Sequence, residues 1–295
     1  MDSTACGAAF FRAVETLIDK HIRIIADEYA YDLLPYKYRL FLYWMRNRGF
    51  RNKMMDLRQK MTPGIYGSII CRTRYIDDCV QQSIRNGAKV VVNLGAGLDT
   101  RSVRLSCLQA VPYYEIDQID VIEYKQKAMM RAMKKKGLLH SKSTYYISTD
   151  FESDDLVKSL SEAGCSFDEP ALFIMEGVTQ YISKEAFRDN LSIIVSAAEK
   201  SVFVFTYVPS EIFAQYEHSP NKYLLLRQFR KYGINKLTSY SMPDINSLLE
   251  EHNLKVLENI GSVEYNTRYL IPLNRKLEVA PLERIVYATL KIKNQ

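Results

Sequence analysis

Val90-Val91-Val92-Asn93-Leu94 is a short β-branched run that ends at a glycine turn, Gly95-Ala96-Gly97. β-Branched side chains suit the pleated backbone, and a strand apolar on both faces belongs in a sheet covered on both sides. Beyond this run the chain alternates between two periodicities. Residues 113–116 read as a second strand ending at Asp117, 144–147 as a third ending near Asp150, 171–175 as a fourth ending at Glu176, and 201–207 as a fifth. Helical spacing fills the intervals at 121–136, 154–163 and 184–198. Such alternation specifies a parallel sheet with helices on both faces. A further helix is expected at 243–252, and strands six and seven at 254–260 and 283–292, with the loop-rich 261–281 connecting them as an elaborated hairpin. The expected fold is therefore α/β: a Rossmann-like, seven-stranded, mostly parallel sheet.

The first 86 residues read differently. Apolar residues fall at helical spacing over 8–25 and 36–45, Pro63-Gly64-Ile65-Tyr66-Gly67 is a break, and 74–85 is a helix closed by Asn86-Gly87. The expectation is an N-terminal helical cap (1–86) that is part of the same domain as the α/β region (87–295). A helical insertion, rich in aromatic and charged residues, is expected at about 209–240, after the fifth strand.

Composition narrows the function classes. Of 295 residues, 47% are hydrophobic and 25% charged, enough for one decorated globular domain without crosslinks. The five cysteines are scattered with no CxxC pair, which predicts free thiols and no metal centre. No segment approaches the roughly 18–20 apolar residues of a membrane span, and the N-terminus lacks an apolar leader, so a cytoplasmic protein without a membrane partner is expected. The net charge of +6 is partly local, in Lys134-Lys135-Lys136, which suits a solvated helix end better than a nucleic-acid surface.

Glycines at the first turn of such a sheet let the backbone approach a ligand, and open parallel sheets bind beyond the carboxyl ends of their strands. The dinucleotide fingerprint GxGxxG is incomplete, because Thr100 stands where its third glycine would be. Taken alone, Gly95 and Gly97 also fit a plain tight turn. Asp117 follows Gly97 by 20 residues, where an acidic side chain can hold ribose hydroxyls. With Asp150 and Glu176, acidic residues close three successive strands. Each alone also fits a helix cap or a solvated turn. Together they suit a ligand with a ribose, an adenine amine and a cationic centre, and they oppose a pyrophosphate. An adenosylsulfonium is thereby favoured over NAD. The four histidines, His21, His140, His218 and His252, lie in no catalytic pattern, and no general base is evident. A reacting oxygen that is already ionised needs none.

The chain resembles the leucine carboxyl methyltransferase-like family. The resemblance rests on Arg72-Thr73-Arg74-Tyr75-Ile76-Asp77-Asp78, Val92 through Arg101 (VNLGAGLDTR), Tyr114-Glu115-Ile116-Asp117 and Glu176-Gly177-Val178-Thr179-Gln180-Tyr181, in matching order over roughly residues 4–207. Ala26-Asp27-Glu28-Tyr29-Ala30 is a looser match, with Glu28 where the family often has proline. The resemblance implies S-adenosyl-L-methionine as cofactor. Gly95 and Gly97 would line its methionine part, Arg72 would pair with its carboxylate, and Glu176 would face its amino group. Asp117 would hold the ribose, and Asp150 with Phe151 the adenine. Tyr181 would stand near the reaction centre and Arg74 would meet a substrate carboxylate, whereas Arg101 would serve a structural ion pair. The expected reaction is O-methylation of a small molecule carrying a carboxylate or acidic hydroxyl. Methyl esterification of a protein C-terminus is one alternative, and a cofactor-binding interaction protein without catalysis is another. The aromatic residues Phe10, Phe11, Tyr36, Tyr38, Phe41, Tyr43, Phe213, Tyr216, Tyr223 and Phe229 fit either an apolar acceptor pocket or the core of a helical subdomain.

Overall fold

The computed structural model describes residues 3–138, 143–212 and 237–291. The N-terminal helices are α1 (Ser3–Thr16), α2 (Ala30–Leu33), α3 (Tyr36–Met45), α4 (Arg48–Met61) and α5 (Ile65–Arg85). The sheet follows with β1 (Val90–Leu94), β2 (Tyr113–Asp117), β3 (Thr144–Ser148), β4 (Ala171–Met175), β5 (Val202–Tyr207), β6 (Leu254–Ile260) and β7 (Arg284–Leu290). Between strands lie α6 (Arg101–Arg104), α7 (Ile119–Lys135), α8 (Leu156–Glu162), α9 (Lys184–Asn190), α10 (Ser192–Val195), α11 (Met242–Glu251) and α12 (Ser262–Tyr265).

The seven strands form one sheet in the order β3-β2-β1-β4-β5-β7-β6. β1 to β5 run parallel, and β7 pairs antiparallel with both β5 and β6. The expected mostly parallel seven-stranded sheet is thus present. Strand alternation divides the core between its two faces. Val91 joins a cluster with Phe11 and Val14 of α1, Ile70 and Ile76 of α5 and Met129 of α7. Val90, Val92 and Leu94 join the opposite cluster, with Phe173, Phe205, Leu160, Phe187 and Leu249. The N-terminal helices therefore share a core with the sheet.

Several boundaries differ from the sequence expectation. The expected helix over 8–25 stops at Thr16, because Asp27 organises the returning chain: its carboxylate accepts from the backbone N–H of Tyr29 and Ala30, and its own N–H donates to Thr16 Oγ1. The helix expected from residue 74 begins at Ile65. Gly67 is not a breaker but a contact point inside that helix, where a Cβ would lie 2.1 Å from the carbonyl oxygen of Glu278. The helix expected over 184–198 is broken into α9 and α10. Most of the expected insertion, with His218, Phe213, Tyr216, Tyr223 and Phe229, lies outside the described residues, as does His140. At the insertion's base, Ser210 N–H donates to the Tyr240 carbonyl and Tyr240 N–H to that of Val208.

Candidate active site

At the carboxyl end of β1 the chain turns through Gly95, which has φ +76° and packs so tightly that a Cβ would lie 2.2 Å from Val178 Cγ2. Gly95 N–H and Ala96 N–H both donate to the Ile116 carbonyl, tying the loop to β2. Gly97 N–H donates to Asp117 Oδ2 at 2.7 Å, so the acid that ends β2 also fixes the loop after β1. Beneath the loop, Lys125 and Glu115 form an ion pair with no solvent exposure, and Lys125 Nζ also donates to the Ala96 carbonyl.

These elements wall a cavity of about 490 Å³, within the usual size of small-molecule sites. Arg72, Gly95, Gly97, Asp117, Asp150, Phe151, Glu176 and Tyr181 all line it. α1 closes another side, with Ala5 against Gly97 and Phe11 further along the helix.

The charges behind the cavity form one network. Arg101, almost fully buried, bonds Asp77 through Nε and both Asp99 and Glu176 through Nη1, each at 2.7 Å. This is the structural ion pair expected of it. Arg72 bonds Glu176 at 2.8 Å and Glu283 at 2.7 Å, and Arg104 bonds Asp77 at 2.6 Å. Four carboxylates therefore share three guanidiniums, a surplus of one negative charge. Burial alone would push the Glu176 carboxyl upward. Arg101 and Arg72 outweigh it and hold it at about 2, so it is ionised at neutral pH. Asp99 is likewise held well below the usual carboxylate range against its burial, chiefly by Arg101 and Lys125. Arg72 Nε and Nη1 are taken by the protein's own carboxylates, which leaves Nη2 without a hydrogen-bond partner among the described residues.

Asp150 stands at the exposed rim. Its Oδ1 accepts from Glu152 N–H at 3.0 Å, in the turn that carries Phe151 into the wall. Tyr181, 40% exposed, follows a turn in which its N–H bonds the Val178 carbonyl. Arg74 requires correction: it does not reach this cavity. Two residues along a helix rotate the side chain by about 200°, and Arg74 instead bonds Asp78 at 2.9 Å and lies over the Tyr269 ring. It lines a separate cavity of about 640 Å³ with Tyr75, Glu258 and Arg268.

Some residues of the site carry no local sequence signal. Arg12 bonds Asp27 at 2.9 Å and the Leu98 carbonyl at 2.5 Å, and Thr100 Oγ1 also donates to Asp27. The threonine that spoils the dinucleotide fingerprint thus ties the loop to the N-terminal cap. Asn93 Nδ2 donates to Asp99. Arg58 of α4 lines the cavity over the Phe11 ring, and its Nε is buried without a hydrogen-bond partner among the described residues. Gln180 Oε1, also in the wall, is buried and has no hydrogen-bond partner among the described residues.

The sequence profile of the leucine carboxyl methyltransferase family matches residues 5–195. A "Putative S-adenosyl-L-methionine-dependent methyltransferase" of Mycolicibacterium paratuberculosis is 35% identical over 130 residues, covering 44% of this chain and 40% of that protein. One of the same name from Mycobacterium avium is 30% identical over 175 residues, covering 59% and 53%. The matched region thus spans about half the length of these relatives or less. Among solved structures, a "putative methyltransferase" from Thermobifida fusca YX is similar in fold, with a TM-score of 0.58 over 82% of this chain and 88% of that one, at 15% identity.

Proposed function

Since the chain belongs to the leucine carboxyl methyltransferase family, we propose that it transfers a methyl group from S-adenosyl-L-methionine to an oxygen of a small molecule carrying a carboxylate or acidic hydroxyl. The observation that carries this reading is the gathering of Asp117, Asp150 and the ionised Glu176 around the glycine loop in one cavity. A surplus of negative charge favours a sulfonium and an ammonium and disfavours a pyrophosphate. When bound, the cofactor supplies an activated methyl group. The protein's part is to bind and align. Asp117 would hold the ribose hydroxyls, Asp150 and Phe151 the adenine, and Glu176 the amino group, with Gly95 and Gly97 against the methionine part. Arg72 has Nη2 left for the cofactor carboxylate.

Arg58 supports the finer reading of the acceptor. It is the lining arginine without a carboxylate partner among the described residues, whereas Arg12 and Arg72 are both paired. A guanidinium so placed suits an anionic acceptor, with Phe11, Ile65 and Ile69 offering apolar contact. Tyr181, in the wall of the same cavity, would flank the reacting groups. The test is transfer of a labelled methyl group from S-adenosyl-L-methionine into metabolite and protein fractions of the source cell. Label in a base-labile small-molecule ester supports the proposal. Label confined to protein C-termini replaces the acceptor assignment, and no transfer to either fraction leaves the non-catalytic alternative.

A further inference from the structure

The hairpin of α3 and α4 exposes side chains that a folded surface ordinarily covers. Tyr36 is 71% exposed, Leu40 47%, Tyr43 58% and Trp44 60%. Their spacing of i, i+4, i+7 and i+8 puts them on one helix face, while Leu42 and Met45 turn the other way into the core. Phe41 on α3 and Leu57 and Met61 on α4 extend the exposed apolar area.

The same hairpin is the basic pole of the sequence. Residues 36–61 hold eight Lys and Arg against one Asp, a net +7, where the whole chain carries +6. Lys37, Arg46, Arg48, Lys53 and Lys60 are exposed, and none is in an ion pair among the described residues. Lys37 lies over the Tyr38 ring and Arg46 over that of Tyr43, so cations and aromatics are interleaved.

We propose that this hairpin docks on an anionic lipid surface, with Tyr36, Leu40, Tyr43 and Trp44 entering the headgroup layer and the flanking cations facing lipid phosphates. Three features select a bilayer over a folded partner. Tyrosine and tryptophan beside lysine and arginine match the polarity gradient of a membrane interface. The charge surplus complements an anionic leaflet. The aromatic face also borders neither of the two cavities, whereas protein interfaces anchor aromatics in fitted pockets. No helix among the described residues is long and apolar enough to cross a membrane, so the contact is peripheral. Docking in this way would set α4, whose Arg58 lines the active-site cavity, against the bilayer.

Trp44 is the single tryptophan of the chain, so its fluorescence reports on this face directly. The 295-residue chain is mixed with vesicles of phosphatidylcholine alone and with vesicles containing about one-third phosphatidylglycerol. The proposal predicts co-sedimentation with the anionic vesicles at least ~10-fold stronger than with the neutral ones, weakened by salt, with Trp44 emission shifted to shorter wavelength. The double substitutions Leu40→Glu with Tyr43→Glu, and Lys37→Glu with Arg48→Glu, should each weaken partitioning at least ~10-fold while leaving the melting temperature in place. Absence of anionic-vesicle binding would overturn the proposal. So would binding that leaves Trp44 emission unchanged, binding that both double variants retain, or a concentration-dependent dimer that both variants abolish, which would assign the face to a second copy of the chain.

Discussion

Arg101 and Arg46 carry the same guanidinium into opposite surroundings. Arg101 is nearly inaccessible and held by Asp77, Asp99 and Glu176. Arg46 is exposed on a hairpin with one acidic residue among 26 and rests against the rings of Tyr31 and Tyr43. A buried charge must be matched where it lies, because an unmatched one costs several kcal/mol. The cations around the glycine loop are therefore fixed by the architecture and hold Asp99 and Glu176 in place. The cations of the hairpin are solvated, cost little to leave unpaired, and are available to a ligand from outside. Arg58 lies between the two regimes, half-buried in the cavity wall with Nε unbonded. Charge matching thus separates residues that build the site from residues that receive something.

The largest test of that division is Arg101→Ala. Removing the hub leaves buried Asp99 without a guanidinium and Asp77 and Glu176 with one each, and urea unfolding should show a loss of about 3–5 kcal/mol; a loss below about 1 kcal/mol would mean that the network does not hold the site together. Acid should show the same coupling from the other partner. Glu176 is held at about 2 against an ordinary 4.5. Its ionised form is thus favoured by folding, and its contribution is full above pH 4.5 and is lost as the pH falls through about 2. The stability gap between wild type and Glu176→Gln should therefore narrow by up to about 3 kcal/mol across that window, and a gap that stays constant with pH would break the assignment.

Asp117→Ala sharpens the boundary between holding the loop and holding the ligand. S-adenosyl-L-homocysteine affinity should weaken by about 1–3 kcal/mol in calorimetry, with a smaller change in thermal stability than Arg101→Ala gives. The smallest structural effect belongs to Arg58→Gln. Its stability should stay within about 0.5 kcal/mol of wild type in urea unfolding. A much larger loss would place Arg58 with the structural arginines.

The sheet was legible because its central strands β1, β4 and β5 are buried on both faces. The run over 171–175 contains no polar residue, and β4 occupies those residues. The acids that line the cavity were legible for a related reason. In a parallel sheet the carboxyl ends of successive strands converge, so Asp117, Asp150 and Glu176 could be placed together before any distance was known. Pairings between distant segments were not legible. Nothing local marks Arg12 as the partner of Asp27, or Lys125 as a buried cation under the glycine loop, since both depend on packing from elsewhere. Arg74 misled because it shares a motif with Arg72, although helix geometry turns the two side chains to different cavities. Gly67 misled because a glycine beside Pro63-Gly64 reads as a break, whereas its function is to let residue 278 approach the helix.

The cavity at the glycine loop is proposed to be an adenosylsulfonium site. Isothermal calorimetry of the intact chain with S-adenosyl-L-homocysteine, S-adenosyl-L-methionine and NAD tests this directly. Saturable one-to-one binding of both adenosyl ligands, weakened in Asp117→Ala, with no comparable heat from NAD, is the predicted result. Tight binding of NAD with no binding of either adenosyl ligand would contradict it.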